Sequence, residues 1–378
     1  MLLSPAALRA QNATPETAGP SDPLSSAIDV RDLWRLARGK EPNQTPDAAA
    51  PRRYLFVAPT IGSRPSTGLT GGARVSAKEQ VLGTARFAVF SKRDTWLFQG
   101  DQRLWWTSQD TFGLGGNTPA TAAGNVKYDQ LRFYQTAYRS VSPGLFLGVG
   151  LNISDNADVE PGLGASGTWQ DSPYVTYSLE HGFALDHQTS SGPSVSLTLD
   201  TRDNQINARS GTFASASYRT FFEGFLGGDS TWHELYVDAR TYRGLTKDAR
   251  HRLAFWFLAD LITMGTTPYF DLPSTGNPER SGRGYAEGRY RGEHMLYGEV
   301  EYRGDITRSG LLGVVAFFNM ATIDHADAGE KLFDSVAPGG GLGVRVLLNK
   351  RSRSNFCVDY GWGKDGSRGF YLYLQEAF

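Results

Sequence analysis

The 378-residue sequence contains one cysteine, Cys357, so no intrachain disulfide can form. By parity Cys357 shares a strand face with Asp359, opposite Phe356, Val358 and Tyr360, and reads as a small packed residue rather than a reactive thiol. No apolar run approaches the roughly 18 to 20 residues of a transmembrane helix, which excludes a helical membrane protein. A mean hydropathy of −0.37 does not exclude a membrane barrel, because strand alternation dilutes the signal to near that of a soluble protein. Charge of one sign is also missing. With 38 Lys and Arg against 39 Asp and Glu, the net charge is −1, and no basic footprint for nucleic acid exists.

Catalytic constellations are absent too. There is no Gly-x-Ser-x-Gly elbow. The six histidines are scattered, and Asp324-His325-Ala326-Asp327 lacks metal-ligand spacing. The glycine run Gly339-Gly340-Gly341-Leu342-Gly343 is followed by neither Lys-Ser/Thr nor a helix pattern, so it is no phosphate loop. The expectation is a protein that is not an enzyme, with no catalytic residue, cofactor or metal.

What is abundant is glycine, 44 residues, with 12% aromatics, which favours an all-β fold. Strand after strand alternates with a period of two. Leu296, Gly298, Val300 and Tyr302 would line one face of the segment from Met295 to Arg303, and Tyr297, Glu299, Glu301 and Arg303 the other. Val195, Leu197 and Leu199 alternate with Ser196, Thr198 and Asp200; Leu235, Val237 and Ala239 with Glu234, Tyr236, Asp238 and Arg240; Leu342, Val344, Val346 and Leu348 with Gly343, Arg345 and Asn349. One such strand fits a soluble sandwich equally well. Its repetition, with so strongly polar a second face, predicts a transmembrane antiparallel β-barrel with a wet lumen.

About sixteen strands can be placed: 52–62, 66–78, 80–91, 94–107, 127–140, 143–154, 170–185, 192–203, 211–224, 231–245, 249–264, 293–306, 310–323, 338–350, 354–364 and 369–378. With odd strands outgoing, the segment 265–292 lies outside and the turn from Asp203 to Gly211 in the periplasm. The connections 108–126 and 155–169 are then long on the side where turns should be short, which puts the third to seventh strands in doubt. Trp105, Trp106, Trp232 and Trp362 fall near strand ends, as aromatic girdles would.

Residues 1–51 read as a disordered N-terminal segment, poor in large apolar residues, ahead of a barrel over 52–378. The start, with Leu8-Arg9-Ala10 as a cleavage site, is compatible with the remnant of a signal peptide without its basic region, or with ordinary tail. Ile28 to Gly39 suggests a short amphipathic helix, with Val30, Leu33, Trp34 and Leu36 on one side. It could lie in the barrel mouth or against the membrane surface, a transient helix in a tail being the plainer reading.

Three stretches stand out. The first is Leu199-Asp200-Thr201-Arg202-Asp203-Asn204 followed by Ser210-Gly211-Thr212-Phe213, where Asp203 and Asn204 can start a turn and Gly211 permits its conformation. The second is Arg283-Gly284-Tyr285 in the long loop. The third is the end of the chain, from Gly339 through Phe356-Cys357-Val358-Asp359-Tyr360-Gly361 to the strand Gly369–Phe378, with Phe370, Leu372 and Leu374 on one face.

Together these resemble the BamA/TamA-like outer-membrane assembly superfamily, the bacterial surface antigen barrels. The resemblance covers about residues 52 to 378 and is most specific over 192 to 378. It departs at Ala208-Arg209, where a Pro is usual, and at Gly282, where a Val or Ile is usual. It implies that the long loop folds into the lumen and that Arg283 meets acidic groups, with Glu301 the main partner. The family's second acid falls on Asn319, uncharged here, and Asp359, inward by parity, could substitute. It also implies a C-terminal assembly signal carried by Phe370, Leu372, Leu374 and Phe378, and a location in the bacterial outer membrane among its lipids.

The implied activity is insertion or translocation of proteins or lipids, through a weak seam between the strands at Arg52–Gly62 and Gly369–Phe378. Partners would be client outer-membrane proteins or a separate periplasmic chain. Family members that insert proteins carry POTRA domains before the barrel, and about fifty residues cannot hold one. The alternative is a passive structural or pore-forming barrel.

Overall fold

The computed structural model describes residues 27–41, 80–91, 95–120, 124–162, 168–277, 280–350 and 352–378, with strand backbone at 62–64, 68–70 and 74–75. Strands β1 (Gly62–Arg64) and β2 (Gly68–Thr70) form a two-stranded antiparallel ribbon. Strands β3 (Arg74–Val75), β4 (Val81–Phe90), β5 (Trp96–Thr111), β6 (Gly124–Ser142), β7 (Leu145–Pro161), β8 (Gln188–Asp200) and β9 (Gly211–Phe221) open the main sheet. It continues through β10 (Trp232–Gly244), β11 (His251–Gly265), β12 (His294–Asp305), β13 (Leu312–Ile323), β14 (Ala337–Asn349), β15 (Ser354–Gly363) and β16 (Arg368–Leu374). All fourteen strands from β3 to β16 form one antiparallel meander in which each pairs with its neighbours in sequence. The first expected strand, 52–62, falls outside the described residues except at Gly62, and the second survives in them as β2 and β3.

The two faces of this sheet are inverted relative to a soluble protein. In β12 the buried side chains are Met295, Tyr297, Glu299, Glu301 and Arg303. In β8, Ser194, Ser196 and Thr198 are buried, whereas Val195 and Leu197 are exposed. In β14, Leu342 and Val344 are 59% and 48% exposed while Arg345 is 4% exposed. Phe255, Phe257, Phe318, Met320 and Phe370 continue the exposed apolar surface. An apolar surface spanning so many adjacent strands is far larger than a water-facing wall tolerates, and hydrocarbon is the solvent it fits.

The polar face lines an interior, because the sheet curls until the connections of distant strands meet. Ser154 on β7 donates to Asp271 at 2.7 Å, Lys364 after β15 donates to the Gly116 carbonyl at 3.3 Å, and Arg353 before β15 pairs with Asp203 after β8 at 2.5 Å.

One expected strand is a helix. Residues 170–185 hold a 3-10 turn, Trp169–Asp171, and helix α2 (Pro173–Glu180). Ser172 caps α2 by accepting from the Val175 N–H, and Pro173 occupies the first turn, where its missing N–H is harmless. Tyr174, Val175, Tyr177 and Ser178 are buried, a helical spacing that packs them on Tyr269, Phe270 and Leu272. Removing this strand restores the parity of the meander. Connections 112–123, 162–187, 222–231, 266–293, 324–336 and 364–367 then share one end, and the connections 91–95, 143–144, 201–210, 245–250, 306–311 and 350–353 the other.

Strands β5 to β7 are longer than expected. At 19 residues, β6 spans roughly 60 Å by strand rise, well beyond an apolar band of about 25 Å, so the wall projects past it. The tryptophans divide: Trp106 and Trp362 are exposed on the outer face, but Trp105 and Trp232 are buried inside and belong to no girdle.

The helix expected near residues 28–39 is present as α1 (Val30–Ala37), and it is tied down rather than loose. Asp29 and Asp32 form a capping box, Lys350 Nζ donates to Asp32 at 2.7 Å, and the Ile28 N–H donates to the Ser309 carbonyl at 3.1 Å. It therefore sits on the short-turn rim, with Val30, Leu33, Trp34 and Leu36 exposed.

Because the outer face needs hydrocarbon, Val344→Arg should destabilise the folded protein in lipid vesicles by about 2–4 kcal/mol if it lies near mid-depth. Folding yield read by the unboiled gel shift checks this, and an unchanged yield would show that the exposed face meets water.

Candidate functional site

The segment 266–293 does not hang free at the end of the sheet. A 3-10 turn at Tyr269–Asp271 packs it on α2, and isolated bridges join Ser274 to Asn277 and Arg291, and Gly115 to Arg291. Buried arginines hold its base. Arg291 donates to the Tyr269 carbonyl at 2.6 Å within the loop, and Arg289 to the Thr118 carbonyl of the 112–123 connection at 2.6 Å, so both hold the base through neutral acceptors.

From this base the loop carries Arg283 into the interior, where its side chain is fully buried. Nη2 donates to Glu299 and Glu301 of β12, and Nη1 donates to Asp359 of β15 and, at 3.2 Å, to the Tyr373 hydroxyl of β16. The guanidinium lies 3.6 Å from the centroid of the Phe317 ring of β13. Each carboxylate has a second partner. Tyr297 donates to Glu299, Arg303 to Glu301 at 2.5 Å, and Arg345 to Asp359. One loop cation is thus joined to three acids on two strands, with all four side chains fully buried.

Gly284 and Tyr285 complete the anchor. Gly284 has φ +110°, and a Cβ there would lie 2.6 Å from the Trp362 carbonyl oxygen, so only glycine fits. Its N–H donates to the Tyr371 hydroxyl at 2.8 Å, and the Tyr285 hydroxyl donates to the Pro338 carbonyl. Gly361 clears the way on β15, where a Cβ would stand 2.9 Å from the Gly284 nitrogen. Gly339 of β14, where a Cβ would stand 3.0 Å from the Arg283 carbonyl oxygen, belongs to the same floor under the loop.

Glu301 and Asp359 thus both meet Arg283. Asn319 does not replace the missing acid at the guanidinium. Its Nδ2 donates to the Arg283 main-chain oxygen at 3.0 Å, fixing the backbone instead. Glu299 was missed, although it shares the inward parity of Glu301.

The 201–210 turn lies at the opposite end. Arg202 pairs with Asp200 at 2.7 Å, and Asp203 accepts from the N–H groups of Arg209 and Ser210 at 2.8 and 3.1 Å. Asn204 accepts from Ile206 and Asn207, and Gly211 has φ +97°.

In the last strand, Phe370, Leu372 and Leu374 share the outer face, but Phe378 does not continue it. The strand ends at Leu374, and Gln375 with φ +81° ends the alternation. Glu376 then turns in to Arg345 at 2.7 Å, and Phe378 lies buried 5.2 Å from the Trp256 ring centroid.

A meander with one long loop anchored inside it matches a known family. The Omp85 superfamily domain model covers residues 89–378. The chain belongs to the Omp85 superfamily. Among solved structures, BamA from Haemophilus ducreyi lacking POTRA domains 1–3 is similar at 11% identity and a TM-score of 0.56, over 85% of this chain and 69% of that one. CdiB from Acinetobacter baumannii is similar at 11% identity and a TM-score of 0.53, over 84% of this chain and 59% of that one, so the Omp85 chain described here spans less than two thirds of its length. At such identities the likeness is one of fold. No curated protein sequence matches the chain.

Two outcomes test the anchor. Arg283→Ala leaves Glu299 with only the neutral Tyr297 and removes one of the two arginines at Glu301 and at Asp359; it should cost about 3–5 kcal/mol, more than Arg289→Ala, which strands only neutral acceptors. Denaturant unfolding in detergent checks the order, and equal losses would show that Arg283 has no special place. At the turn, burial pushes the Asp203 carboxyl up, but Arg353 and the N–H groups of Arg209 and Ser210 outweigh it and hold the value below the usual carboxylate range. Its contribution is therefore complete above the unfolded carboxyl's value and disappears as pH falls through the lower folded value. Asp203→Asn should flatten that acid limb of the stability profile, and a profile identical to the parent's would assign it elsewhere.

Proposed function

We propose that this Omp85 chain is an outer-membrane barrel of about sixteen strands that inserts or translocates proteins at that membrane. The observation that carries the reading is the loop residue Arg283 held by Glu299, Glu301 and Asp359, on a chain of this superfamily. Closure would bring the edge of β16 to the first strands. Among the described residues β16 pairs on one side, with β15, over seven residues, a short edge beside longer strands.

A short edge offers unpaired N–H and C=O groups on which a client strand can template, the β-augmentation that the family resemblance implies for a lateral gate. The short-turn end, with α1 and the 201–210 turn, would face the periplasm, and the end carrying the six longer connections the exterior. Membrane lipids and unfolded client barrels are then the partners, a separate periplasmic chain being a route for client delivery.

A passive pore is the second reading, and the interior argues against it. Loop 266–293 is anchored across the enclosed space, and Tyr269, Phe270, Leu272, Tyr285 and Tyr290 fill it beside α2. A conducting channel needs that space open.

Assembly of an unfolded client barrel into liposomes, with and without this protein, tests the proposal. Acceleration is expected, and it should fall in Arg283→Ala at matched amounts of folded protein. No acceleration by the folded parent would favour a structural barrel.

A further inference from the structure

At the short-turn end of the interior, two arginines face each other without the acceptors they need. Arg252 of β11 and Arg303 of β12 are directly opposite in the ladder, so their side chains share one face. Both are buried, at 4% and 1% exposure. Like charges directly opposite on paired strands repel, and burial deepens the penalty.

Among the described residues their hydrogen bonds are incomplete. Arg252 Nη2 donates to Asn207 at 2.9 Å, but its Nε and Nη1 have no acceptor. Arg303 donates from Nε to Glu301 at 2.5 Å and from Nη2 to the Phe378 carbonyl at 2.9 Å, while Nη1 has no acceptor. The neighbouring carboxylates do not supply the missing contacts. Asp305 stands 3.8 Å from Arg252 and 3.7 Å from Arg209, beyond hydrogen-bond reach of either. Glu376 is taken by Arg345 at 2.7 Å and Asn355 at 2.6 Å, and lies 3.9 Å from Arg303. The cavity on which these groups open is lined also by Arg250, Lys350 and Ala27, the last at the foot of α1.

We propose that Arg252 and Arg303 form a binding site for an oxyanion group, a carboxylate or a phosphate, presented from the short-turn end. Two planar forks with three free N–H-bearing nitrogens suit the two or more oxygens of such a group, and its charge relieves the repulsion between them. The source that the rim favours is an acidic side chain of a polypeptide. The chain's own Asp29 and Asp32 already dock there, on the Lys350 N–H at 2.9 Å and its Nζ at 2.7 Å. The site does not depend on the insertion activity, and binding is read without it.

The test is calorimetric titration of the folded full chain in detergent, at ionic strength fixed with sodium chloride. One arm uses inorganic phosphate, the other a blocked tetraglutamate peptide. Saturable binding is expected in at least one arm. Peptide binding alone identifies a polypeptide carboxylate as the source, and phosphate binding as well identifies a general oxyanion site. Arg252→Gln should weaken binding at least tenfold, while Lys247→Gln on the exposed 245–250 turn, outside the cavity lining, should leave it unchanged. If Arg252→Gln folds poorly, Arg252→Lys keeps the charge without the fork and should still weaken binding severalfold. No saturable binding in either arm, parental affinity in the Arg252 variants, or an equal loss in Lys247→Gln would overturn the proposal.

Discussion

A guanidinium buried among three carboxylates is stable only as a unit. Any one of Glu299, Glu301 and Asp359 left alone inside the sheet would carry an unscreened charge, and Arg283 alone would do the same. The geometry also selects the residue. Arg283 reaches acceptors on β12, β15 and β16 from two nitrogens while its flat face lies on Phe317, which a lysine ammonium cannot reproduce. Much else follows from this contact. The loop can enter because Gly284 and Gly361 let two backbones approach, and it can stay because Arg289 and Arg291 stiffen its base.

Most of the wall was legible from alternation, because its two faces meet such different surroundings. From β8 onward the expected strands match the observed ones to within a few residues, since most carry an apolar face and a polar one. The failure at 170–185 has a local cause. Tyr174, Val175 and Tyr177 suit a strand as well as a helix, and only the Ser172-Pro173 start distinguishes them. Phe378 was misplaced for a similar reason. Alternation extrapolates through Gln375, but that residue at positive φ ends the strand, and Glu376, Ala377 and Phe378 after it are all buried.

Around the anchor, parity alone recovers the acids but not their ranking. Glu299 and Glu301 are equivalent in the pattern, and what separates them is the second partner, Tyr297 for one and Arg303 for the other. The role of Asn319 was not legible at all, since it answers to a main-chain oxygen that only the folded loop places beside it. Likewise α1 reads as a helix from its apolar side, yet the acidic residues of its opposite side decide where it sits.

The anchor also bears on how a seam beside β16 would open. That strand is held by β15 along one edge, and from inside by two tyrosines: Tyr371 accepts from the Gly284 N–H, and Tyr373 accepts from Arg283. Beyond its end, Arg280 donates to the Leu374 and Glu376 carbonyls at 3.5 and 2.5 Å, and Glu376 is locked to Arg345. Separating β16 from β15 would break the ladder and these side-chain contacts together, whereas parting its other edge breaks none of them. On the proposed reading, the gate therefore opens with the last strand still fixed to the loop and the wall, and the presented template keeps its twist and register. On that reading the interior network would confine movement to one side of β16.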